Sequence, residues 1–583
     1  MKKTKYNNHP FITVKGDFTT WLGWPEITRK LVDKINEIPA KARVIVIETY
    51  QGVIHEEVEP KLKKGLNAEL WINSREAYKP EKEIAAMVYP DVTNDRIFGY
   101  LTRLNLTDYL DQQKVSDLRN KITSIQNVTV IYGPGASLIP DKYDLLVYVD
   151  MARWEIQQRM RRHQVDNLGL SNRNTEDWML LYKQGYFVDW RVCDRLKKQL
   201  YDRWDYVLDI NQSGHPKMVT GEAVRSGLQQ AIRQPFSVVP FFDPGPWGGQ
   251  WMKAHCNLPQ DQPNYAWCFN CVPEENSLLL KFGATLFETP SINLVFRHPQ
   301  QLLGEPVHGR FGDEFPIRFD FLDTMEGGNL SLQVHPLTEY IQEKFGLYYT
   351  QDESYYMMEA GEDAVVYLGL REEINPQKMI EDLQESQETG RFEAEKHVQT
   401  WPVKKHDHVS IPAGTVHCSG KNSMVLEISA TPYIFTFKLW DWGRLGLDGK
   451  PRPINIEHGK NVIQWDRTTQ WVKENLVEQV EIVAEGVGWK EERTGLHQRE
   501  FIETRRHWFT EKVDHHTGGG VNVIALVEGE EVVVESPQEA FDPFILHYAE
   551  VFIVPAGVGA YTIRPSGKSV GRECVTMKAY VRF

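Results

Sequence analysis

The chain has 583 residues, of which 41% are hydrophobic and 25% charged, and a formal net charge of −14. That length exceeds one ordinary core and points to about three or four domains of soluble, globular composition. The acidic balance argues against a nucleic-acid backbone as the main partner, which would want a basic face, but it leaves room for a small anionic substrate in a local basic pocket.

The stretch from Met1 to Asn8 is basic yet leads into no apolar core of the signal-peptide type. No run approaches the roughly 18 apolar residues expected of a membrane span. Six cysteines in so long a chain do not make a disulfide framework, so a reducing cytoplasm is the expected setting.

Residues 1–235 mix two periodicities. Val44–Ile47, Val128–Ile131 and Leu145–Val149 are short, fully apolar and β-branched, as strands buried on both faces are. Helical stretches lie between and after them, including one through Glu155, Arg159 and Arg162. Strands alternating with helices predict an α/β domain with a parallel sheet.

The character changes near Pro240. Residues 236–460 become short strands broken by Gly and Pro, with a helical insertion around Glu372 to Gln387, and residues 461–583 are again β-rich. The expectation is a multidomain chain: an α/β domain, then two all-β, cupin-like (jelly-roll) domains. Within it, Cys268 and Cys271 have the spacing of half a zinc ribbon but lack a second pair. On a strand, positions three apart face opposite ways, so two unrelated buried thiols are expected.

A repeated corner links the two β domains. Ile411-Pro412-Ala413-Gly414 and Val554-Pro555-Ala556-Gly557 each follow a strand-like run, and the first continues to His417 where the second has Ala560. Only the first is therefore expected to carry metal ligands.

Gln333 and His335 stand two apart, so on a strand both face one side. Glu353 lies in a strand-like run, and His417 follows the Pro-Ala-Gly corner. Two imidazoles, a carboxylate and an amide oxygen from three strands can close around a divalent metal, zinc first, with iron, cobalt or manganese as alternatives. The competing reading is a hydrogen-bonded surface histidine before a proline and a solvated strand glutamate.

Residues from about 240 to 460 resemble the type I mannose-6-phosphate isomerases, zinc-dependent cupins. The matches run in order through Phe315-Pro316, Leu330–Pro336, Glu353 and Tyr356, Ile411–His417, Val425–Glu427, Trp440–Arg444 and Asp448–Pro451. The resemblance implies one zinc per chain, held by Gln333, His335, Glu353 and His417. It also implies a sugar 6-phosphate as substrate, interconverted between aldose and ketose through an enediol. By the same resemblance Glu427 and Lys438 are catalytic, while Ser331 and Arg444 contact substrate. Glu427 also reads as a strand-end residue paired to a nearby lysine.

The sequence departs from the family around the substrate. Gln351 stands where a lysine is usual, Lys438 where an arginine is usual, and Asp320 where a lysine is usual, with Arg318 close by. Lysine keeps the charge but lacks the planar fork that clamps two oxygens. A metal-binding cupin without turnover, acting as a carbohydrate-binding or regulatory protein, is thus the alternative to an isomerase.

The N-terminal region bears a weaker likeness to P-loop nucleoside or uridine kinases, carried by Tyr143–Asp150 and Arg159–His163. After Val44–Ile47 there is one Gly, no Gly-Lys-Ser/Thr, and an acidic residue at the place of the phosphate. The domain is expected not to hydrolyse ATP, and to be a scaffold or a sensor of a nucleotide or sugar phosphate.

Overall fold

The structure is a computed structural model and describes residues 5–430, 433, 435–447, 449, 452–495, 497 and 499–583. Met1 to Thr4, and Asp448, Lys450 and Pro451 of the last family block, lie outside the described residues. The chain divides into two compact units.

One unit comprises Phe11–Gln230 and Ser277–Arg297. Its seven-stranded sheet runs in the order Trp21–Leu22, Lys217–Thr220, Tyr206–Asp209, Leu145–Asp150, Arg43–Thr49, Val128–Gly133, Leu70–Asn73. The last five are parallel, and the first two add an antiparallel edge that the apolar runs did not announce. Ile45, Val46 and Ile47 are fully buried at the centre, as an apolar run covered on both faces must be. Beyond the carboxyl ends of these strands lies a cleft of about 450 Å³, lined by Gly52, His55, Lys63, Arg75, Asp166 and Arg173 among others. A three-stranded sheet pairs Phe11–Thr13 with Ser277–Phe282 and Thr285–Pro290. Residues 277–297 therefore join this unit, although they lie inside the stretch read from sequence as the middle domain.

The other unit comprises the segment ending at Pro10, Ala231–Asn276 and His298–Phe583. It contains two antiparallel sandwiches. In the first, a six-stranded sheet has the order His408–Ile411, Glu353–Ala360, Ser423–Ser429, Arg318–Asp323, Trp267–Cys271, Phe241–Asp243. It faces a five-stranded sheet ordered Val398–Pro402, Val365–Leu370, His417–Ser419, Leu332–Val334, Phe437–Trp440. The helical insertion is Pro376–Thr389, capped by Asn375 and ended by Gly390 in the left-handed region.

The second sandwich repeats this plan strand for strand. Its six-stranded sheet runs Val551–Val554, Asn522–Glu528, Cys574–Val581, Ile502–Phe509, Trp489–Thr494, Val480–Gly486. Its four-stranded sheet runs Phe544–His547, Glu531–Glu535, Ala560–Pro565, Val513–His516. Taken in chain order, the strands fill the same places in both sandwiches, with Phe437–Trp440 as the one addition in the first. The duplicated Pro-Ala-Gly corner is the visible trace of that repeat. The sandwiches meet through buried polar pairs: His408 Nδ1 lies 2.7 Å from Thr494 Oγ1, and Ser410 Oγ donates to Glu500 Oε1 at 2.9 Å. Cys268 and Cys271 are both buried, unpaired thiols on the strand Trp267–Cys271, as their spacing predicted.

Candidate metal centre

The Pro412-Ala413-Gly414 corner organises the site. Gly414 adopts a φ of +88°, which glycine tolerates and other residues rarely do. Its N–H donates to the carbonyl of His335 at 2.9 Å, and the N–H of Ala413 donates to Asp352 Oδ1 at 2.8 Å. The buried Arg467 guanidinium holds the carbonyls of Pro412 and Ala413 at 2.8 and 2.7 Å. One turn thereby fixes the backbone beside His335, beside Glu353 and, three residues on, at His417.

His335, Glu353 and His417 come together, each no more than 1% exposed, with donor atoms all within 4.8 Å of one another. His335 Nε2 is 3.0 Å from Glu353 Oε2, and His417 Nε2 is 2.8 Å from Glu353 Oε1. Both imidazoles commit Nδ1–H to a backbone carbonyl: His335 to Phe435 at 2.8 Å and His417 to Thr415 at 2.9 Å. That fixes the tautomer with the Nε2 lone pair turned inward, as metal-binding histidines are held. Gln333 pairs with His417 across the strands, with its amide nitrogen 3.2 Å from His417 Nε2. A half-turn of the amide presents its oxygen instead.

Acceptors thus converge on acceptors. His335 Nε2 and Glu353 Oε1 are buried without a hydrogen-bond partner, which is costly unless a proton or a cation sits between them. With protons alone the group resolves as an ion pair. Burial opposes charge on His335, yet the Glu353 carboxylate outweighs it and raises the imidazole. Burial likewise opposes the Glu353 charge, and the two histidines outweigh it and hold the carboxyl well below the usual range. Two imidazoles and a carboxylate with fixed outer hydrogen bonds form a set that fits a divalent transition metal.

Beside this group lies an acidic row. Tyr355, Glu427 and Asp320 are direct cross-strand partners and so share one face, and Glu353, two residues from Tyr355, shares it as well. Glu427 is in the interior of its strand rather than at its end, 7% exposed, with Arg318 among its charged neighbours. Burial, then the charges of Glu353 and Asp320, raise the Glu427 carboxyl well above the usual range. Burial also pushes Asp320 up to about 7 against the pull of Arg318, whose Nε donates to Asp320 Oδ2 at 2.5 Å.

Lys438 lies directly across from Gln333, so its strand position belongs to the face that carries Gln333 and His417. Ser331 and Arg444 meet in a knot around Asp441. Ser331 Oγ donates to Asp441 Oδ1 at 3.0 Å, and Arg444 Nη2 to the same oxygen at 2.7 Å. Arg452 Nη1 donates to Ser331 Oγ at 3.0 Å and to Asp441 Oδ2 at 2.7 Å. Arg452 and Asp441 were not singled out from sequence. The Trp440–Arg444 block flagged the neighbourhood, but nothing local in sequence foretells that Arg452 returns to it.

Comparison with known proteins gives two results. A family described as a domain of unknown function (DUF8485) matches residues 23–233. The P-loop kinase likeness of that region is not shown. Over 239 residues the chain is 27% identical to the mannose-6-phosphate isomerase ManA of Bacillus subtilis, covering 40% of this chain and 68% of that protein. It is 26% identical over 220 residues to the mannose-6-phosphate isomerase of Streptococcus mutans, covering 37% of this chain and 64% of that one. A crystal structure of the mannose 6-phosphate isomerase from Bacillus subtilis superposes with a TM-score of 0.49 at 17% identity, covering 60% of this chain and 99% of that one. No helix among the described residues is long and apolar enough to cross a membrane. The chain thus carries, after its N-terminal α/β region, a cupin region similar to the mannose-6-phosphate isomerases.

Proposed function

We propose that the first sandwich is a metal-dependent aldose–ketose isomerase of a sugar 6-phosphate, with mannose 6-phosphate to fructose 6-phosphate as its reaction. The observation that carries this reading is the buried His335–Glu353–His417 group, with both Nδ1 atoms committed outward and both Nε2 atoms turned in. Gln333, His335, Glu353 and His417 would hold one zinc or a related divalent ion, which when bound polarises or orients the sugar oxygens. Glu427 moves the proton between C1 and C2, a task suited to a carboxyl raised by burial and by its acidic neighbours. Lys438 supplies the positive charge for the phosphate or the developing enediolate. Asp441 and Arg452 position Ser331 and Arg444, which contact substrate. The reaction takes place in the cytoplasm.

Gln351 favours a second reading. Its amide occupies the ground between Glu353 and Glu427 with no charge to offer a phosphate, as in a metal cupin that binds carbohydrate without converting it. One experiment separates the two. Bound metal is measured in the purified protein, and ketose–aldose conversion is followed with mannose 6-phosphate and a panel of other sugar phosphates. Metal with turnover supports the isomerase; metal without turnover on any of them sinks it and leaves the binding protein.

A further inference from the structure

The strand-for-strand repeat makes the two sandwich interiors comparable residue by residue. Ile411 and Val554 both precede Pro-Ala-Gly, and their cross-strand partners are Glu353 and Asn522. Two residues further along, Tyr355 pairs with Glu427, and Ile524 with Lys578. Glu427 pairs in turn with Asp320, and Lys578 with Arg505. Two residues before these, Arg318 corresponds to Glu503. Three carboxylates and a guanidinium in the first sandwich are therefore replaced in the second by two cations, one carboxylate and an amide. The charge of the row has changed sign.

The replaced row faces the interior. Phe509, Ile524, Leu526 and Cys574 of one sheet pack with Val513 and Tyr561 of the other in a single core. Strand alternation then turns His507 and Arg505, Thr576 and Lys578, and His515 to the same side. His507 and His515 sit with ring centroids 4.5 Å apart, and His515 stacks on Tyr561. Both ring nitrogens of His515, Nδ1 of His507 and the hydroxyl of Thr576 are buried without a hydrogen-bond partner among the described residues. His507, His515 and Thr576 are 2%, 7% and 0% exposed. Such a concentration of orphaned polar atoms in one interior requires an occupant.

Its chemistry follows from the neighbours. Glu503 is engaged by Arg505 and by the hydroxyl of Tyr580, and Glu491 by His507 at 3.2 Å. The Lys578 ammonium stands 4.0 Å from Glu491, at the outer limit of an ion pair, and burial lowers it to about 8. The three-donor convergence of the first sandwich is not reproduced here among the described residues, and Arg505 and Lys578 are matched by Glu503 and Glu491, so the orphaned imidazole nitrogens and the Thr576 hydroxyl remain as the atoms to be satisfied. We propose that the second sandwich binds a small oxyanion of the phosphate type, at the place equivalent to the acidic row beside the metal centre, through Lys578, Arg505, His507 and His515.

Calorimetric titration of the full-length protein with inorganic phosphate tests this, with glycerol 3-phosphate alongside to distinguish free phosphate from the phosphate group of a metabolite. Binding of either is expected, weakened about tenfold or more by Lys578→Met, the loss of one charge-assisted contact, and unchanged by Lys421→Met, an exposed lysine of the first sandwich paired with Asp363. Phosphate and glycerol 3-phosphate both failing to bind into the millimolar range would overturn the proposal. So would binding lost in Lys438→Met and kept in Lys578→Met. Should Lys578→Met not fold, the imidazole resonances of His507 and His515 in the parent decide: they shift on adding phosphate if the proposal holds, and ordered water alone at the site leaves them still.

Discussion

Gln351 Nε2 donates to Glu353 Oε2 at 2.7 Å and reaches Glu427 Oε1 at 3.5 Å, so one neutral amide mediates between the candidate metal ligand and the candidate proton carrier. A lysine there would stabilise both carboxylates as anions. The amide leaves Glu427 free to keep its proton, consistent with the raised carboxyl.

Gln351→Leu removes that donor at nearly constant volume. Glu353 then loses the hydrogen bond that orients it, and metal affinity should fall about 10–100-fold, the usual cost of losing an outer partner of a ligand. Competition against a calibrated chelator measures this. Unchanged affinity would show that Gln351 does not orient Glu353.

His417→Ala removes a ligand itself, and its loss should cost at least the upper end of that range, about 100-fold. The purified variant should carry no metal by elemental analysis. A chelator should lower the melting temperature of the parent but not of the variant, since only the parent gains stability from the bound ion. Metal retained by the variant would refute the ligand assignment.

Much of this centre was legible in sequence, and the reason is local. Gln333 and His335 show strand alternation, and His417 follows a corner whose glycine requires a left-handed φ. The acidic row was not legible. Asp320, Glu427 and Tyr355 are brought side by side only by the pairing of three strands far apart in the chain, and no local pattern encodes that register. The second sandwich shows the same limit. The sequence match at the corner directs attention to Ala560, whereas the chemistry lies on His507, His515 and Lys578, which the corner does not touch. Leu279, Leu280 and Lys281 fall in the long stretch read as short strands, but their pairing with Phe11–Thr13 is visible only in three dimensions.

A pH-dependent clasp joins the two sandwiches. Lys405 Nζ lies 2.7 Å from Glu528 and 2.9 Å from Glu359, and His406 stands against Glu528 at 3.5 Å. The His406 hydrogen bond, with Lys405 adding to it against burial, holds the Glu528 carboxyl down at about 2. A depressed carboxyl stabilises the fold above its unfolded pKa and loses that contribution as pH falls through its folded value. The window is therefore about pH 4.5 down to about 2. Because Glu528 is 37% exposed, solvent screens the pair, and the contribution is about 1 kcal/mol or less. Urea unfolding at stepped pH should show Glu528→Gln slightly less stable at neutrality and converging with the parent at the acid end. A constant difference across the window would remove Glu528 as its source.

The two Pro-Ala-Gly corners should respond differently to the same substitution. At Gly414, φ is +88°, and an added Cβ would stand 2.7 Å from the Gln464 side chain and 3.0 Å from the Val462 carbonyl. Gly414→Ala is therefore strained in the backbone and crowded, and should cost about 1–3 kcal/mol. Since the Gly414 N–H holds the His335 carbonyl, bound metal should decline with it. Gly557 at the equivalent corner is not in the left-handed region, and its Cβ would meet only the Gln301 carbonyl, at 3.5 Å. Gly557→Ala should leave the melting temperature nearly unchanged and the metal content intact. Thermal melts and metal analysis on both variants make the comparison. Equal damage from the two substitutions would mean that the first corner owes nothing to the ligands it carries, while damage confined to Gly414→Ala ties its strained geometry to the centre it builds.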